Sequence, residues 1–181
     1  MPPRLPPLTD EELPDSVRPI LERWPYRLHR TLAHAPDTLV AWLPWAEHVL
    51  LKNAMPARER ELAILRVAVN ARCDYEWGLH ARLSRQLGVA EDDIARVPHG
   101  PDAAGWDADD AAILRAVDEM MADSRVSDAT WAVLAARWSR QQLVDLLYVT
   151  GQFMTVALLL NSLGVQPEDG VPGLPAGFGR D

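Results

Sequence analysis

The sequence predicts an all-α protein. Apolar residues recur at helical spacing along most of its 181 residues, and no segment shows the sustained alternation of β-branched and polar residues that is typical of a strand. Capping residues, prolines and glycines bracket many of the apolar stretches. A chain of this length can bury one sizeable core. We therefore expect a single helical domain over 9–165, built as a bundle of about eight helices.

The beginning of the chain is expected to be an extended arm followed by a first helix. Four of the first seven residues are prolines, so 1–8 is predicted to be an extended N-terminal arm. Thr9 is a good N-cap and three acidic residues follow it, which favours a helix that starts near Thr9. Pro14 and Pro19 leave the extent of that helix open.

Seven further helices follow from the apolar periodicity and its boundary signals. Pro36 and Pro56 suit a first helical turn, Gly88 suits a C-cap, and Pro44 is expected to kink the helix around it. The tail 166–181, which contains three prolines and four glycines, is expected to be irregular. The predicted ranges are 36–52, 56–71, 73–87, 91–97, 108–123, 128–138 and 140–163.

Composition limits the classes of partner. The net charge is −8 at pH 7 and Lys52 is the single lysine, so the chain has no cationic cluster for nucleic acid and is repelled by anionic membranes. The stretch 146–166 is uncharged and long enough to span a bilayer. Its polar residues favour instead a buried helix or a subunit interface. No signal peptide is recognised, so we expect a cytoplasmic protein, and the arginine-rich bias suggests a bacterial source.

The residues most suggestive of chemistry lie between Glu61 and His80. Cys73, the only cysteine, precedes Glu76 by three residues, and His80 follows Glu76 by four. On a helix this spacing aligns the three side chains along one stripe, where they can exchange protons with each other and with a bound molecule. Glu61 lies twelve residues before Cys73 on the preceding predicted helix. If the two helices pack as a hairpin, Glu61 completes the cluster.

Each of these residues also has an ordinary structural interpretation. Cys73 near a helix start would have a lowered pKa and become a better nucleophile, although a small buried cysteine is the more usual case. His80 can be a packed core histidine, and Glu61 and Glu76 can lie on solvated faces. The i, i+4 spacing suggests that Glu76 orients the His80 ring. Too few ligands are present at zinc spacing for us to expect a metal site.

The same block resembles the carboxymuconolactone decarboxylase family. The matching residues are 56–67, reading Pro-Ala-Arg-Glu-Arg-Glu-Leu-Ala-Ile-Leu-Arg-Val, followed by Tyr75-Glu76-Trp77 and by His80. This superfamily includes the AhpD-type alkylhydroperoxidases. The resemblance implies an all-helical, AhpD-like fold that self-associates into trimers or hexamers, and an enzyme that acts on a small molecule without a cofactor.

The resemblance implies two different chemistries. AhpD-type enzymes use a Cys-x-x-Cys pair with a glutamate and a histidine as proton relay, and Glu61, Cys73 and His80 match three of those four positions. Glu76 replaces the second cysteine, so peroxide reduction through Cys73 would need an external thiol. The sequence Tyr75-Glu76-Trp77 instead resembles the decarboxylase branch of the superfamily.

The leading interpretation is therefore a decarboxylase-like enzyme that performs cofactor-free acid–base chemistry on a small organic acid or lactone. His80 would be the principal acid/base, Glu76 would orient it or act as a second acid/base, and Glu61 would be the relay. Cys73 would form part of the pocket wall. Arg66, Tyr75 and Trp77 are candidate substrate-binding residues. Two alternatives stay open, namely a thiol peroxidase based on Cys73 and a non-catalytic helical interaction module.

Overall fold

The computed structural model describes residues 2–180, and within this range every regular element is helical. Short 3-10 turns, Asp15–Val17 and Val97–His99, precede α1 and follow α6. Met1 and Asp181, the ends of the predicted arm and tail, lie outside the described residues. The helices are α1 (Arg18–Arg23), α2 (Arg27–Leu32), α3 (Pro36–Leu51), α4 (Ala57–Asn70), α5 (Asp74–Gln86), α6 (Glu91–Arg96), α7 (Ala108–Asp123), α8 (Asp128–Arg137) and α9 (Arg140–Leu163).

The bounds of α7 and α9 are the predicted ones because side chains cap these helices. The Asp107 side chain accepts hydrogen bonds from the first backbone N–H groups of α7. Ser139 and Gln142 form a reciprocal capping box at the start of α9. Gly164 ends α9 in a left-handed conformation with φ 70°, which glycine adopts without steric cost.

The expected helix near Thr9 is wrong. Only a turn forms there, and the Glu12 carboxylate accepts a hydrogen bond from the Thr9 backbone N–H. Pro14 lies in extended backbone as the residue before a 3-10 turn, and α1 begins only at Arg18, with Pro19 in its first turn. The short α2 was not predicted, because six residues are too few to show a helical period.

Helix α4 lies at the centre of the fold and packs against α5, α7 and α9. Its side chains from Glu61 to Leu65 are all fully buried, so the helix is enclosed on most of its circumference rather than along one stripe. This position explains why a carboxylate on α4 is removed from water. The core around it is formed by apolar side chains of α4, α7, α8 and α9.

Helix α9 is long and apolar enough to cross a membrane, judged by length and composition alone. Half of its most apolar stretch is buried within the protein, against α4, α3 and α5. The other face is exposed and includes Val144, Tyr148, Met154 and Leu158. The helix therefore contributes one face to the core and leaves an apolar face uncovered within the protomer.

The two irregular ends fold back on the helices. The arm lies beside α2 and the end of α9, where the Arg4 backbone N–H donates to the Leu163 carbonyl at 2.8 Å. The tail crosses α5, and the Leu174 backbone N–H donates to the Asp74 carboxylate at 2.9 Å. The apolar side chains of Leu174 and Phe178 pack against the core below. Within residues 166–180 the tail is packed on its own chain.

Candidate active site

The hairpin of α4 and α5 brings the predicted cluster together. Arg72 turns the chain in a left-handed conformation with φ 51°, and the Cys73 N–H donates to the carbonyl of Ala68 at 2.9 Å. The tight connection places α5 antiparallel to α4, so a residue near the start of α4 can meet one in the middle of α5. Glu61 and His80 are that pair.

His80 is fixed by Glu61. The two atoms Nδ1 of His80 and Oε2 of Glu61 are 2.8 Å apart, and both side chains are buried. The Arg60 guanidinium lies 3.3 Å from the other oxygen of Glu61 and offers it an opposite charge. The His80 ring also meets the edge of Phe153, with ring centroids 4.8 Å apart. Glu61, rather than the expected Glu76, therefore orients the ring and leaves its Nε2 available.

Glu76 is a buried carboxyl group without a protein partner. Its side chain is 1% exposed, and among the described residues neither of its oxygens has a hydrogen-bond partner. Burial away from water raises the pKa of Glu76 well above its usual range. Burial therefore favours the protonated form of this group, which can donate a hydrogen bond or a proton to a bound molecule.

Glu76 and His80 both line a cavity of about 340 Å³. The wall is mostly aromatic and aliphatic, and comes from α2, α3, α5 and α9 together with the segment between α1 and α2. A cavity of this size with a mostly apolar surface is typical of a site for a small organic molecule. The polar or titratable side chains on the wall are Trp24, Tyr26, His29, Trp42, Glu47, Tyr75, Glu76, His80, Arg82, Gln86 and Gln152.

Comparison with known proteins identifies the superfamily. The model of the carboxymuconolactone decarboxylase family matches residues 36–119, from the start of α3 through most of α7, and therefore contains Glu61, Cys73, Glu76 and His80. This match, which covers just under half of the chain, supports the carboxymuconolactone decarboxylase / AhpD-like superfamily as the group that the chain resembles. No curated protein matches it significantly.

Solved structures with the AhpD-like fold agree with this assignment. A peroxidase-related protein from Ralstonia eutropha, described as an alkylhydroperoxidase AhpD core, has a TM-score of 0.81 at 21% identity over 93% of this chain and 94% of its own. A peroxidase-related protein from Silicibacter has 0.78 at 20% identity over 94% and 96%. A debrominase variant in complex with 2,3,4-tribromopyrrole has 0.75 at 13% identity over 93% and 94%. At these identities the likeness establishes the fold.

Cys73, the position that AhpD-like enzymes use for redox chemistry, is not on the cavity wall. It precedes α5 as the N-cap residue and packs among apolar side chains with 1% of its surface exposed. Burial, and then the nearby Glu76 carboxyl, raises the pKa of the thiol. The expected lowering by the helix start is therefore wrong, because backbone N–H groups of the first turn offset burial only in part.

The three candidate substrate-binding residues lie in different surroundings. Tyr75 lines the cavity, and its hydroxyl donates to Glu168 of the tail at 2.7 Å. Arg66 does not line the cavity; its guanidinium pairs with Asp118 on α7 at 2.5 Å. Trp77 also lies off the cavity, in the core between α4, α5 and α7. The ion pair of Arg66 and the core packing of Trp77 give each of these side chains a structural role.

His29 and Trp42 are cavity residues that the sequence did not single out. His29 is 6% exposed and stands among the rings of Trp24, Tyr26 and Trp42. Neither residue belongs to the family block around α4 and α5, and neither has the spacing of a known motif. An amphipathic pattern cannot distinguish a histidine that lines a cavity from one that faces solvent, so the sequence held no signal for them.

A metal ion has no evident site. Within residues 2–180 no three His, Cys, Asp or Glu side chains are grouped so that they could hold one. Glu61, which faces His80, has its second oxygen beside Arg60, and a guanidinium there competes with a cation for the same carboxylate.

Proposed function

We propose that the protein is a carboxymuconolactone decarboxylase-like enzyme that performs cofactor-free acid–base chemistry on a small lactone or organic acid. The observation that supports it best is the pairing of Glu76 and His80 on the wall of an apolar cavity, with Glu61 behind the His80 ring. Two titratable groups with different surroundings, next to space for a small molecule, form an acid and a base.

His80 is the proposed base. With Nδ1 held by Glu61 at 2.8 Å, the ring presents Nε2 to the cavity and removes a proton from a carbon next to a carbonyl group. The imidazolium that forms is stabilised by the Glu61 carboxylate. Glu61 therefore acts through His80 and is a positioning residue, while His80 contacts the substrate.

Glu76 is the proposed acid. Burial favours the protonated carboxyl group, and in this form Glu76 donates a hydrogen bond to the carbonyl oxygen of the substrate. This hydrogen bond strengthens as negative charge develops on that oxygen. The raised pKa is thus useful only while the cavity excludes water, and the apolar wall provides that exclusion.

The wall favours a lactone over a free carboxylate. Among the described residues that line the cavity, Arg82 is the one guanidinium or ammonium group, and it is exposed, while Glu47 and Glu76 add two carboxyl groups. A substrate carboxylate would lose its hydration without gaining a buried cationic partner. A neutral lactone has no such cost and offers a carbonyl oxygen to Glu76.

The thiol peroxidase alternative has less support. The Cys73 thiol is buried, has a raised pKa and does not line the cavity, whereas a peroxidatic cysteine needs thiolate character and access. No observation favours the interaction module over an enzyme, since a non-catalytic module has no need for a buried and unpartnered glutamate.

The test is proton exchange at carbon. The wild-type protein is incubated in D₂O with a panel of γ- and δ-lactones that have an exchangeable proton next to the carbonyl, and deuterium incorporation is followed by NMR. We expect exchange with at least one lactone, and a loss of about a hundredfold or more in His80→Ala and in Glu76→Gln. Cys73→Ala is the matched control and should retain the activity.

The same samples separate the two chemistries. Brief treatment with near-equimolar peroxide and a sulfenic-acid trap, followed by intact-mass analysis, should leave Cys73 largely unmodified. Exchange that is unaffected in His80→Ala would refute the proposed base. A protein that is inactive on lactones but forms a rapid adduct on Cys73 would instead be a thiol peroxidase.

A further inference from the structure

In the part of the chain that the structure describes, three side chains of the cavity wall have buried polar atoms that lack a hydrogen-bond partner. Among the described residues, the oxygens of Glu76, the Nδ1 atom of His29 and the Nε1 atom of Trp42 have no hydrogen-bond partner. All three residues line the same cavity. A buried polar atom without a partner costs free energy, and four such atoms on three side chains of one cavity wall indicate a ligand that supplies the missing hydrogen bonds.

Glu76 belongs to the proposed acid–base pair, but His29 and Trp42 do not. They come from α2 and α3, whereas Glu76 and His80 lie on α5. The His29 and Trp42 rings are neighbours, with centroids 6.5 Å apart. The cavity wall therefore has unpartnered polar atoms in two places on different helices. Those of His29 and Trp42 have no role in the proposed proton transfer.

The chemistry of the second group is that of one acceptor and one donor. Burial lowers the pKa of His29 to about 4, and a hydrogen bond to the Trp24 backbone opposes this only in part. A neutral imidazole can accept a hydrogen bond at Nδ1, while the indole N–H of Trp42 can only donate. A hydroxyl group satisfies both, because it donates one hydrogen bond and accepts another. A carboxylate cannot donate to Nδ1, and an ammonium group cannot accept from the indole.

We propose that His29 and Trp42 form a second polar subsite of the cavity, which binds an uncharged hydroxyl group of the ligand. This proposal deepens the proposed function, since it makes the substrate class a hydroxylated lactone whose carbonyl meets Glu76 and His80. The aromatic side chains around the subsite, Trp24 and Tyr26, provide flat apolar surface for the carbon skeleton between the two polar ends.

The test compares ligands that differ by one hydroxyl group. The probes are 3,4-dihydrocoumarin, an uncharged aromatic lactone, and its 6-hydroxy and 7-hydroxy derivatives, and binding is measured by isothermal titration calorimetry. We expect at least one hydroxy isomer to bind the wild-type protein about threefold to tenfold more tightly than the unsubstituted lactone. In His29→Phe and Trp42→Phe, which retain an aromatic ring, that difference should disappear.

The unsubstituted lactone is the control for folding, because it needs neither side chain and should bind both variants as it binds the wild type. A hydroxyl preference that survives in both variants, or one that is absent from the wild type, would overturn the proposal. If a variant loses all binding, the NMR signal of the Trp42 indole N–H in the wild-type protein decides whether the hydroxyl group binds at the subsite. It should shift with the hydroxy lactone and stay in place with the unsubstituted one.

Failure of the subsite and failure of the proposed function give different results. Hydroxylated and unsubstituted lactones that bind equally well would remove the subsite and leave the acid–base proposal intact. If none of the three lactones binds, the lactone substrate class is wrong, and phenol, which needs only the hydroxyl subsite, tests the subsite separately. A Trp42 indole signal that phenol shifts and toluene does not would support the subsite, and an unchanged signal would refute it.

Discussion

Glu76 is the residue at which stability and chemistry conflict most directly. A carboxyl group that is 1% exposed and without a protein partner contributes nothing to the packing that a methionine or leucine would not contribute better. Its one evident benefit is a raised pKa, which favours a carboxyl group that can donate a proton. Residues that reduce stability in this way are typical of functional sites.

The first prediction concerns the pH dependence of stability. Burial raises the pKa of Glu76 in the folded protein above its ordinary value of 4.5, so above that pH the unfolded chain releases the proton while the folded protein keeps it. The free energy of unfolding therefore falls as pH rises, by about 1.4 kcal/mol per pH unit until the raised pKa is reached. Glu76→Gln removes this loss and should be more stable than wild type at pH 7.

Chemical denaturation of wild type and Glu76→Gln between pH 4 and pH 8 measures the effect. Glu11→Gln removes one negative charge from an exposed position and is the matched control, with an expected change close to zero. A parallel pH dependence in wild type and Glu76→Gln would contradict the burial of an unpaired carboxyl group at this position.

The sequence indicated which residues meet but not what surrounds them. Spacing along a hairpin of two helices was sufficient to bring Glu61 to His80. It could not show that α4 is enclosed on most sides, which removes Glu61 from water. Nor could it show that apolar side chains of α2 and α9 cover Cys73 and so raise the pKa of its thiol. His29 shows the same limit, because its importance arises from a cavity formed by helices distant in sequence.

At the scale of single elements, the seven helices α3 to α9 were predicted within a residue at each end, and the two short helices before them were not. Ser139 with Gln142, and Asp107, specify their helix starts by local hydrogen bonds that the sequence displays directly. Thr9 has the residue type of a cap, but prolines at 14 and 19 prevent a continuing helix. Local chemistry therefore predicts an element only where the next turn can also be helical.

The second prediction tests how the tail packs on α5. A Cβ atom at Gly78 would lie 2.5 Å from the carbonyl oxygen of Pro172 and 2.6 Å from the side chain of Val171, so Gly78→Ala must displace the tail. The tail holds Glu168 against the hydroxyl of Tyr75, a cavity residue. We expect a lower melting temperature and faster amide hydrogen exchange over 167–179.

Gly151→Ala is the matched control. It also lies inside a helix, but nothing is found within 4 Å of its added Cβ. Without a clash, alanine should stabilise α9 by up to about 1 kcal/mol through its higher helix propensity. Equal stabilisation by both substitutions would mean that the tail does not rest on Gly78.

At the scale of the whole molecule, the exposed apolar face of α9 is the feature without a function inside the protomer. Leu158 is 61% exposed and Tyr148 is 54% exposed, and Val144, Gly151 and Thr155 extend the same uncharged face by steps of three or four residues. Trp45 of α3 continues it, because its ring meets the edge of Tyr148 at 5.0 Å. A continuous apolar surface of this kind is typical of an interface.

The last prediction is that this face binds a second copy of the chain. A lipid bilayer is the other candidate for an apolar helix, but α9 has half of its apolar stretch buried against α4 and its neighbours, so it cannot leave the core to span a membrane. Self-association covers the exposed face while the helix stays in place.

Leu158→Glu introduces a charge at the most exposed apolar position, and we expect it to convert oligomers into monomers in sedimentation velocity experiments. Leu87→Glu, at an exposed position on the end of α5, should leave the assembly unchanged. A wild-type chain that sediments as a monomer at all concentrations would rule out this role for α9, and binding to neutral lipid vesicles would then account for the apolar face.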